Sequence, residues 1–194
     1  MISACSQAEP GTAEPSSSPS GNGGADSPYT VPPVSQELDA TPYLTKPCEL
    51  VPDTTLESLG FALPGEPLSA ENESTADLVG PSCGWWLKPG NTLLSVGIQT
   101  GNREHGVGGL RGLRGGYERG QYAYWESTNI GGYPAAYYDI DDERQEGRCR
   151  LAVGIADDLT FSVSAGVYEN EPQQACSTVE KVATDVIGTL KRGA

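Results

Sequence analysis

The chain has 194 residues, and its 12 Lys and Arg against 26 Asp and Glu give a formal charge of −14 at pH 7. This acidity excludes nucleic acid as the expected partner, because phosphate binding needs a basic surface. No run of about 18 or more apolar residues occurs, so no membrane-spanning helix is predicted. The length suits one ordinary domain with a tail.

The first residues resemble a bacterial lipobox. In the segment 2–5, Ile-Ser-Ala-Cys, small residues precede a cysteine of the kind that is diacylated and becomes the mature N-terminus. A complete signal peptide has a basic and an apolar segment upstream, and here only one residue precedes the box. We interpret residues 1–5 as the remnant of a signal peptide and Cys5 as the lipidation site. A chance tetrapeptide is the alternative.

Residues 6–41 are rich in Ser, Pro, Gly, Glu and Ala and contain almost nothing apolar to bury. Such a composition does not offset the entropy of ordering, so this segment is predicted to be disordered. A flexible coil of about 35 residues has a typical end-to-end distance of about 30–35 Å. We therefore expect a tether that joins a lipid on Cys5 to a single folded domain over residues 42–194.

Four of the five cysteines lie in the predicted domain, namely Cys48, Cys83, Cys149 and Cys176. An even number suits two disulfides in an oxidising compartment. Counting does not separate the three possible pairings. We favour Cys48 with Cys83 and Cys149 with Cys176, because each pair then ties a helix to a neighbouring strand. No metal is expected, since the cysteines include no Cys-x-x-Cys pair and the chain has one histidine.

The domain begins with a short predicted helix. Thr54 and Glu57, three residues later, form a candidate capping box for a helix that ends at Gly60. Residues 64–79 are polar and irregular, so they are interpreted as a loop.

A predicted hairpin follows, with strands over 82–87 and 93–100 and a turn between them. Trp85 lies two residues after Cys83, so both side chains point to one face of the strand. We expect the indole ring to pack on a disulfide.

Residues 101–120 combine eight glycines with four arginines. Backbone N–H groups and arginine side chains suit an anion, which makes Arg111 and Arg114 candidate binding residues. Neither a P-loop nor a Gly-x-Gly-x-x-Gly sequence occurs here. A mobile loop with solvated arginines is the favoured interpretation.

Two further strands are predicted over 122–127 and 132–138. The acidic residues that follow, Asp139, Asp141, Asp142 and Glu143, do not fit a calcium-binding EF-hand loop, because Arg144 stands where that loop has glycine. We interpret them as an acidic turn.

The strongest pattern in the chain is the segment 148–167, where apolar residues alternate with small or polar ones on both sides of an acidic turn. This pattern predicts a hairpin with one apolar face. After Pro172, apolar residues at helical spacing predict a C-terminal helix that covers this face. The expected fold is therefore α+β, with an antiparallel sheet of about five to six strands, a short N-terminal helix, a C-terminal helix and two disulfides.

These residues resemble the actinobacterial secreted lipoproteins of the domain-of-unknown-function 3558 family over about residues 45–191. The resemblance rests on the lipobox, the low-complexity tail, the final helix and five short motifs in the same order. The motifs are Pro-Cys-Glu-Leu at 47–50, Leu-Gly at 59–60, Cys-Gly-Trp at 83–85, Gly-Tyr-Pro-Ala at 132–135 and Cys-Arg-Leu-Ala-Val-Gly at 149–154. It implies export, a lipid anchor on the outer face of the cell membrane and an α+β fold. It implies no catalytic residue, because the family has no established activity.

One segment, 80–84, matches the Gly-x-Ser-x-Gly nucleophile elbow of α/β-hydrolases, with Ser82 as the nucleophile. The elbow needs a helix directly after the serine, whereas strand and turn residues follow here. The only histidine, His105, comes too early for the Ser, Asp, His order. We therefore expect no enzyme, and an extracytoplasmic hydrolase using Ser82 is the alternative.

The remaining hypothesis is a binding domain that contacts another envelope protein or a small ligand, without a cofactor. Tyr, Trp and Arg dominate binding hot spots. The candidate contact residues are Arg111, Arg114, Tyr124, Trp125 and Tyr133, with other tyrosines of the 117–138 segment as further candidates. A cavity lined by the aromatic rings would favour a small ligand, and an exposed patch would favour a protein.

Overall fold

The computed structural model describes residues 30–69, 71, 76–87, 93–166, 168 and 170–193. The lipobox with Cys5 and most of the predicted tether lie outside the described residues. Within the described part of the chain, no helix has the length and apolar character that a membrane crossing requires. The described residues from position 31 onward form one compact unit.

In the part of the chain that the structure describes, seven strands form a single antiparallel sheet in the order β1-β2-β3-β7-β6-β5-β4. The strands are β1 Glu66–Leu68, β2 Ser82–Trp86, β3 Leu93–Ile98, β4 Tyr124–Ile130, β5 Tyr133–Asp139, β6 Cys149–Ala156 and β7 Leu159–Gly166. The predicted hairpin of residues 148–167 is confirmed as β6 and β7. The sheet has more strands than the five to six expected, and β1 is the strand that sequence reasoning missed.

Among the described residues there are also five α-helices and three short 3-10 helices. The α-helices are α1 Asp53–Ser58, α2 Ala76–Val79, α3 Thr100–Glu104, α4 Leu110–Glu118 and α5 Gln173–Arg192. The 3-10 helices are Thr41–Tyr43, Pro47–Leu50 and Arg144–Glu146.

One face of the sheet, which we call the α5 face, carries the main core. Directly paired residues share a face in an antiparallel sheet, and one row across the sheet is formed by Cys83, Val96, Val163, Leu151 and Tyr137. Helix α5 packs on β6 and β7 on this side. Its buried residues recur at helical spacing, as predicted, and include Val179, Val182, Ala183, Val186, Ile187 and Leu190. Full burial of each larger aliphatic side chain stabilises the fold by about 1.5–3 kcal/mol.

The opposite face, which we call the α4 face, is built from small residues. One row across it is formed by Ser82, Gly97, Ser162, Ala152 and Ala136. Small side chains leave room for a helix at one end of the row. Helix α4 packs there against β4, β5 and β6.

Two disulfides join Cys48 to Cys83 and Cys149 to Cys176, which confirms the favoured pairing. The first ties the 3-10 helix Pro47–Leu50 to β2, and the second ties β6 to α5. The side chain of Trp85 is 1% exposed and lies beside the first disulfide. A Cβ atom built on Gly65 would lie 2.3 Å from Trp85 Nε1 and 2.8 Å from Cys83 Sγ, so both groups border the same glycine.

The start of the first α-helix differs from the sequence prediction. Pro52 occupies the N-cap position of α1 and no side chain caps the helix, so the capping box at Thr54 and Glu57 is wrong. Pro52 has the extended φ and ψ of an N-cap residue, and the helix therefore begins two residues earlier than a Thr54 cap allows. The hydroxyl of Thr55 instead donates to Asp185 Oδ2 at 2.8 Å, which joins α1 to α5.

The loop predicted over residues 64–79 contains ordered elements. Glu66–Leu68 forms the edge strand β1, and Ala76–Val79 forms helix α2. Proline at position 67 is compatible with a strand at the sheet edge, where one side of the backbone is not needed for pairing.

The mobile loop predicted over residues 101–120 is also wrong, because most of it forms α3 and α4. Two of its glycines allow close packing. A Cβ atom on Gly101 would lie 1.9 Å from the carbonyl oxygen of Leu78, and one on Gly116 would lie 2.7 Å from the ring of Tyr122. Tertiary packing of this kind overrides the weak helix propensity of glycine.

The folded unit begins about ten residues before the boundary predicted at residue 42. Leu38 and Ala40 are buried in the core, and the amide of Leu38 donates to the carbonyl oxygen of Ile155 at 2.9 Å. The amide of Val34 donates to Asp157 Oδ1 at 3.1 Å. The few apolar residues of segment 31–40 are therefore enough to hold it on the β6–β7 turn.

Candidate functional site

The β4–β5 hairpin holds most of the aromatic residues that were singled out as contact candidates. Its two-residue turn consists of Gly131 and Gly132, whose φ angles are 58° and 94°, the left-handed conformation that glycine adopts without steric strain. Successive strand residues point to opposite faces. Tyr124 therefore lies on the α5 face, and Trp125 lies on the α4 face opposite Tyr138.

An arginine–aromatic cluster, formed by Arg114, Tyr117, Tyr122, Trp125 and Tyr138, occupies the α4 face. The guanidinium carbon of Arg114 lies 5.1 Å from the Tyr117 ring centroid and 5.8 Å from that of Trp125. The rings of Tyr122 and Tyr138 meet edge to face at 4.9 Å, and Trp125 lies 6.2 Å from Tyr138. These separations are in the range of favourable cation–π and aromatic pairs.

Helix α4 positions the arginine of this cluster. Leu110 and Leu113 are buried against Ala136 and Ala152 of the sheet, which fixes the orientation of the helix. Arg114 follows Leu113 at the edge of this contact, and its side chain is only 11% exposed. Its Nε atom also donates to Glu118 Oε1 at 3.2 Å, so the arginine is held by both a carboxylate and two rings.

A buried polar network supports the cluster from beneath. The side-chain amide of Gln99 donates to Tyr138 Oη at 3.2 Å, and the hydroxyl of Thr160 donates to Gln99 Oε1. All three residues are buried, and burial raises the pKa of Tyr138 above its ordinary value. The Tyr138 ring, on which Tyr122 and Trp125 pack, is therefore fixed at both its edge and its hydroxyl.

On the α5 face, Tyr124 lies under Arg144, whose guanidinium carbon is 4.1 Å from the ring centroid. Arg144 also binds Asp142 at 2.7 Å and Glu126 at 2.9 Å. Burial, followed by the charge of Asp139, raises the pKa of Tyr124 to about 12. The hydrogen bonds with Asp142 raise the pKa of Arg144 and hold the pKa of Asp142 below its usual range. The guanidinium thus links the acidic turn to β4.

Two further carboxylates of the acidic turn also contact arginines. Asp139 lies 3.3 Å from Arg150, and Glu143 lies 3.5 Å from Arg148. In the described ranges, no group of three or more His, Cys, Asp or Glu side chains is arranged to hold a metal ion.

The structure brings together only two of the five candidate contact residues, Arg114 and Trp125. Tyr133 is 4% exposed and belongs to the core, and Lys191 Nζ lies 5.0 Å from its ring centroid. Arg111 of α4 is exposed and borders a small hollow with the segment 31–34.

Two larger cavities lie away from the aromatic rings. One of about 340 Å³ is open to solvent and is lined by the segment 37–44, α3 and the β6–β7 turn. The other, of about 440 Å³, lies between β6, β7 and the acidic turn. Among the described residues, no aromatic ring lines either of these two cavities or the hollow beside Arg111.

Ser82, the candidate nucleophile, is the first residue of β2, and Cys83 beside it is in a disulfide. Strand residues follow the serine, so segment 80–84 does not have the strand-to-helix geometry of a nucleophile elbow. His105 lies at the C-terminal cap of α3.

Sequence reasoning missed Gln99, Thr160, Arg144 and Lys191 as neighbours of the aromatic rings. Thr160 carried a weak signal, because it is a polar residue in an alternating strand at a position that faces away from the main core. Arg144 stands two residues from Asp142, and that spacing suits a local ion pair. Lys191 gave no signal, since it is 58 residues from Tyr133 in the sequence and only the fold brings them together.

The chain matches the family described as "Protein of unknown function (DUF3558)" over residues 1–189. No curated protein matches it. The matched segment includes the whole sheet and nearly all of α5. The chain therefore belongs to the DUF3558 family of proteins of unknown function.

Proposed function

We propose that this protein is a cell-envelope lipoprotein, anchored in the membrane through lipid on Cys5, whose folded domain binds a partner protein on the extracytoplasmic side. The arginine–aromatic cluster is the proposed contact surface. The proposal includes no cofactor and no catalytic step.

The extracytoplasmic location is supported by the two disulfides, because such bonds form and persist in oxidising compartments. The lipobox ending at Cys5 supports the anchor. A diacylated cysteine carries more than one acyl chain, which is what stable membrane anchoring requires.

The observation that carries the binding role is the placement of Arg114 between Tyr117 and Trp125, with Tyr122 and Tyr138 behind them. These residue types dominate hot spots at protein interfaces. Since the rings are already held by packing and by the Gln99 network, little side-chain entropy is lost when a partner binds.

The cluster fits a protein better than a small ligand. A small-molecule site is a concave pocket that encloses most of its ligand. The three cavities described above are lined by other residues, and the rings instead form a partly exposed patch beside the edge of the sheet.

Native mass spectrometry of the protein purified from its own envelope tests the binding role. A retained polypeptide is the expected result, and a retained small molecule in its place would contradict the choice of a protein partner. Truncation of a hot-spot residue typically costs at least about 2 kcal/mol. We therefore expect Trp125→Ala to weaken the complex about 30-fold.

Tyr124→Ala is the matched control for that variant. Tyr124 is the neighbouring residue of β4, is also partly buried and also lies under an arginine, but it faces the other side of the sheet. The partner should therefore be retained by Tyr124→Ala. Equal retention by both variants would contradict the assignment of the α4 face.

Two further variants test the anchor and the absence of a catalytic role. Cys5→Ser should move the protein from the membrane fraction to the soluble fraction, and persistence in the membrane would contradict lipid anchoring. Ser82→Ala should leave any hydrolysis of an ester panel unchanged. A loss specific to this variant would support the hydrolase alternative.

A further inference from the structure

Strand β4 forms one edge of the sheet. Within the part of the chain that the structure describes, β4 pairs with β5 alone. Its seven residues, Tyr-Trp-Glu-Ser-Thr-Asn-Ile, include four β-branched or aromatic residues and a single charge. Natural sheets protect such edges with proline, lysine, bulges or a very short strand. Strand β4 itself contains neither proline nor lysine and is longer than β1 at the other edge.

The hairpin turn determines which backbone groups of β4 point outward. Ile130 and Tyr133 flank the two-residue turn, and residues in that position form a hydrogen-bonded pair. Hydrogen-bonded and non-hydrogen-bonded pairs alternate along an antiparallel ladder. The N–H and C=O groups of Trp125, Ser127 and Asn129 therefore point away from β5.

We propose that β4 pairs with β4 of a second copy of this chain, antiparallel and centred on Ser127. In this register Ser127 lies opposite Ser127 of the second copy. Trp125 of each copy lies opposite Asn129 of the other. All three outward-facing residues of each strand are then paired, which gives six backbone hydrogen bonds. The arrangement is closed and two-fold symmetric, as in most homodimers.

Charge selects this register over its neighbours. Here Glu126 of each copy lies opposite Thr128 of the other. A shift that centres the pairing on Glu126 would place two glutamates directly opposite each other, which destabilises an antiparallel pair. A shift that centres it on Thr128 leaves Trp125 paired only with a residue of the turn.

The pairing would also join the two contact surfaces. Trp125 of the two copies would lie on the same side of one continuous fourteen-stranded sheet, about 14 Å apart. The proposed dimer does not depend on the proposed binding of a partner protein, so either proposal can be wrong while the other is right. A monomeric protein that still retains a partner polypeptide would overturn only the dimer.

Sedimentation equilibrium of the full chain tests the dimer, at protein concentrations between about 1 µM and 1 mM. We expect the average molecular mass to rise with concentration from that of one chain to that of two. Ser127→Pro removes the central outward N–H, and edge strands tolerate proline. This variant should be monomeric at every concentration with an unchanged circular dichroism spectrum.

Ser127→Ala is the control, because it loses the same hydroxyl, the acceptor of the Trp125 Nε1 hydrogen bond, but keeps the backbone N–H. It should dimerise as the wild type does. The proposal would be overturned if the wild type had the mass of one chain at every concentration. It would also be overturned if Ser127→Pro dimerised as strongly as the wild type.

Cross-linking tests the register and remains informative if the proline variant does not fold. In a Cys5→Ser background, Ser127→Cys would place two thiols on residues whose Cα atoms are about 5.5 Å apart, within disulfide range. Asn129→Cys would separate the two Cα atoms by about 14 Å. We expect a cross-linked dimer from the first variant and not from the second. Equal cross-linking of both would overturn the register.

Discussion

Removing the Cys149–Cys176 disulfide by replacing both cysteines with alanine is expected to destabilise the domain by about 3.5 kcal/mol. The two cysteines are separated by 27 residues in the sequence. In the loop-entropy model, a disulfide that closes a loop of that size lowers the conformational entropy of the unfolded chain. At 25 °C this loss of entropy corresponds to about 3.5 kcal/mol of stability. The loss is a large share of the roughly 5–15 kcal/mol that stabilises a typical domain.

The other disulfide gives an internal comparison. Cys48 and Cys83 are separated by 35 residues, so the same model gives about 3.8 kcal/mol for their removal. The two loops do not overlap in the sequence. The two losses should therefore be nearly equal and nearly additive.

Urea unfolding followed by tryptophan fluorescence measures these losses, because Trp85 is fully buried beside the first disulfide. With an m-value of about 2–3 kcal/mol/M, the midpoint of each double-alanine variant should fall by about 1–2 M. Wild-type protein treated with a reductant should lose as much as the two variants together. A loss below about 1 kcal/mol for either variant would refute the claim that the bridges provide a major part of the stability.

Three further predictions concern the glycines of α4, the alkaline titration and the buried network. Gly112→Ala should destabilise the domain by about 1–3 kcal/mol, because its Cβ atom would lie 1.7 Å from a backbone carbonyl oxygen. Gly115→Ala meets only the flexible end of an arginine at 3.1 Å and should instead stabilise the helix by about 0.5–1 kcal/mol, both measured by urea unfolding. The pKa of Tyr124 is raised to about 12, so the stability that its protonated hydroxyl contributes is complete below about pH 10 and is lost as the pH rises to 12. Tyr124→Phe should therefore weaken the pH dependence of the free energy of unfolding between about pH 10 and 12. An unchanged pH dependence would contradict this assignment. Tyr138→Phe should cost about 1–2 kcal/mol by thermal unfolding, because the buried amide of Gln99 loses its acceptor; a neutral effect would show that the network does not support the cluster.

The central hairpin and the C-terminal helix could be predicted because their apolar residues follow a clear period. Burial of one face gives β6 and β7 a two-residue alternation, and it gives α5 a helical spacing. The pairing of the cysteines followed from the same assignment, since the expected neighbours were a helix and a strand in both cases.

Helix α4 could not be predicted in this way, because three of the nine residues of Leu110–Glu118 are glycines. Its three glycines lower the intrinsic helix propensity. What stabilises the helix is the contact of Leu110 and Leu113 with Ala136 and Ala152, and those alanines are distant in the sequence.

The sequence predicted some of the residues of the candidate site, but not how they are arranged in space. Arg114 and Trp125 were both named, yet their proximity depends on α4, which was expected to be a loop. Tyr133 was named as a contact residue because of its type. The β4–β5 register instead turns its ring to the α5 face, where it is buried.

Lipid anchoring and disulfide bonding are tested most directly by mass spectrometry of the protein isolated from its native membrane and alkylated without reduction. We expect an N-terminal peptide that begins at Cys5 and carries acyl chains. We also expect no alkylation of Cys48, Cys83, Cys149 or Cys176, since all four are joined in disulfides. An unmodified Cys5, or free thiols at the other four positions, would contradict the proposal of a lipid-anchored domain in an oxidising compartment.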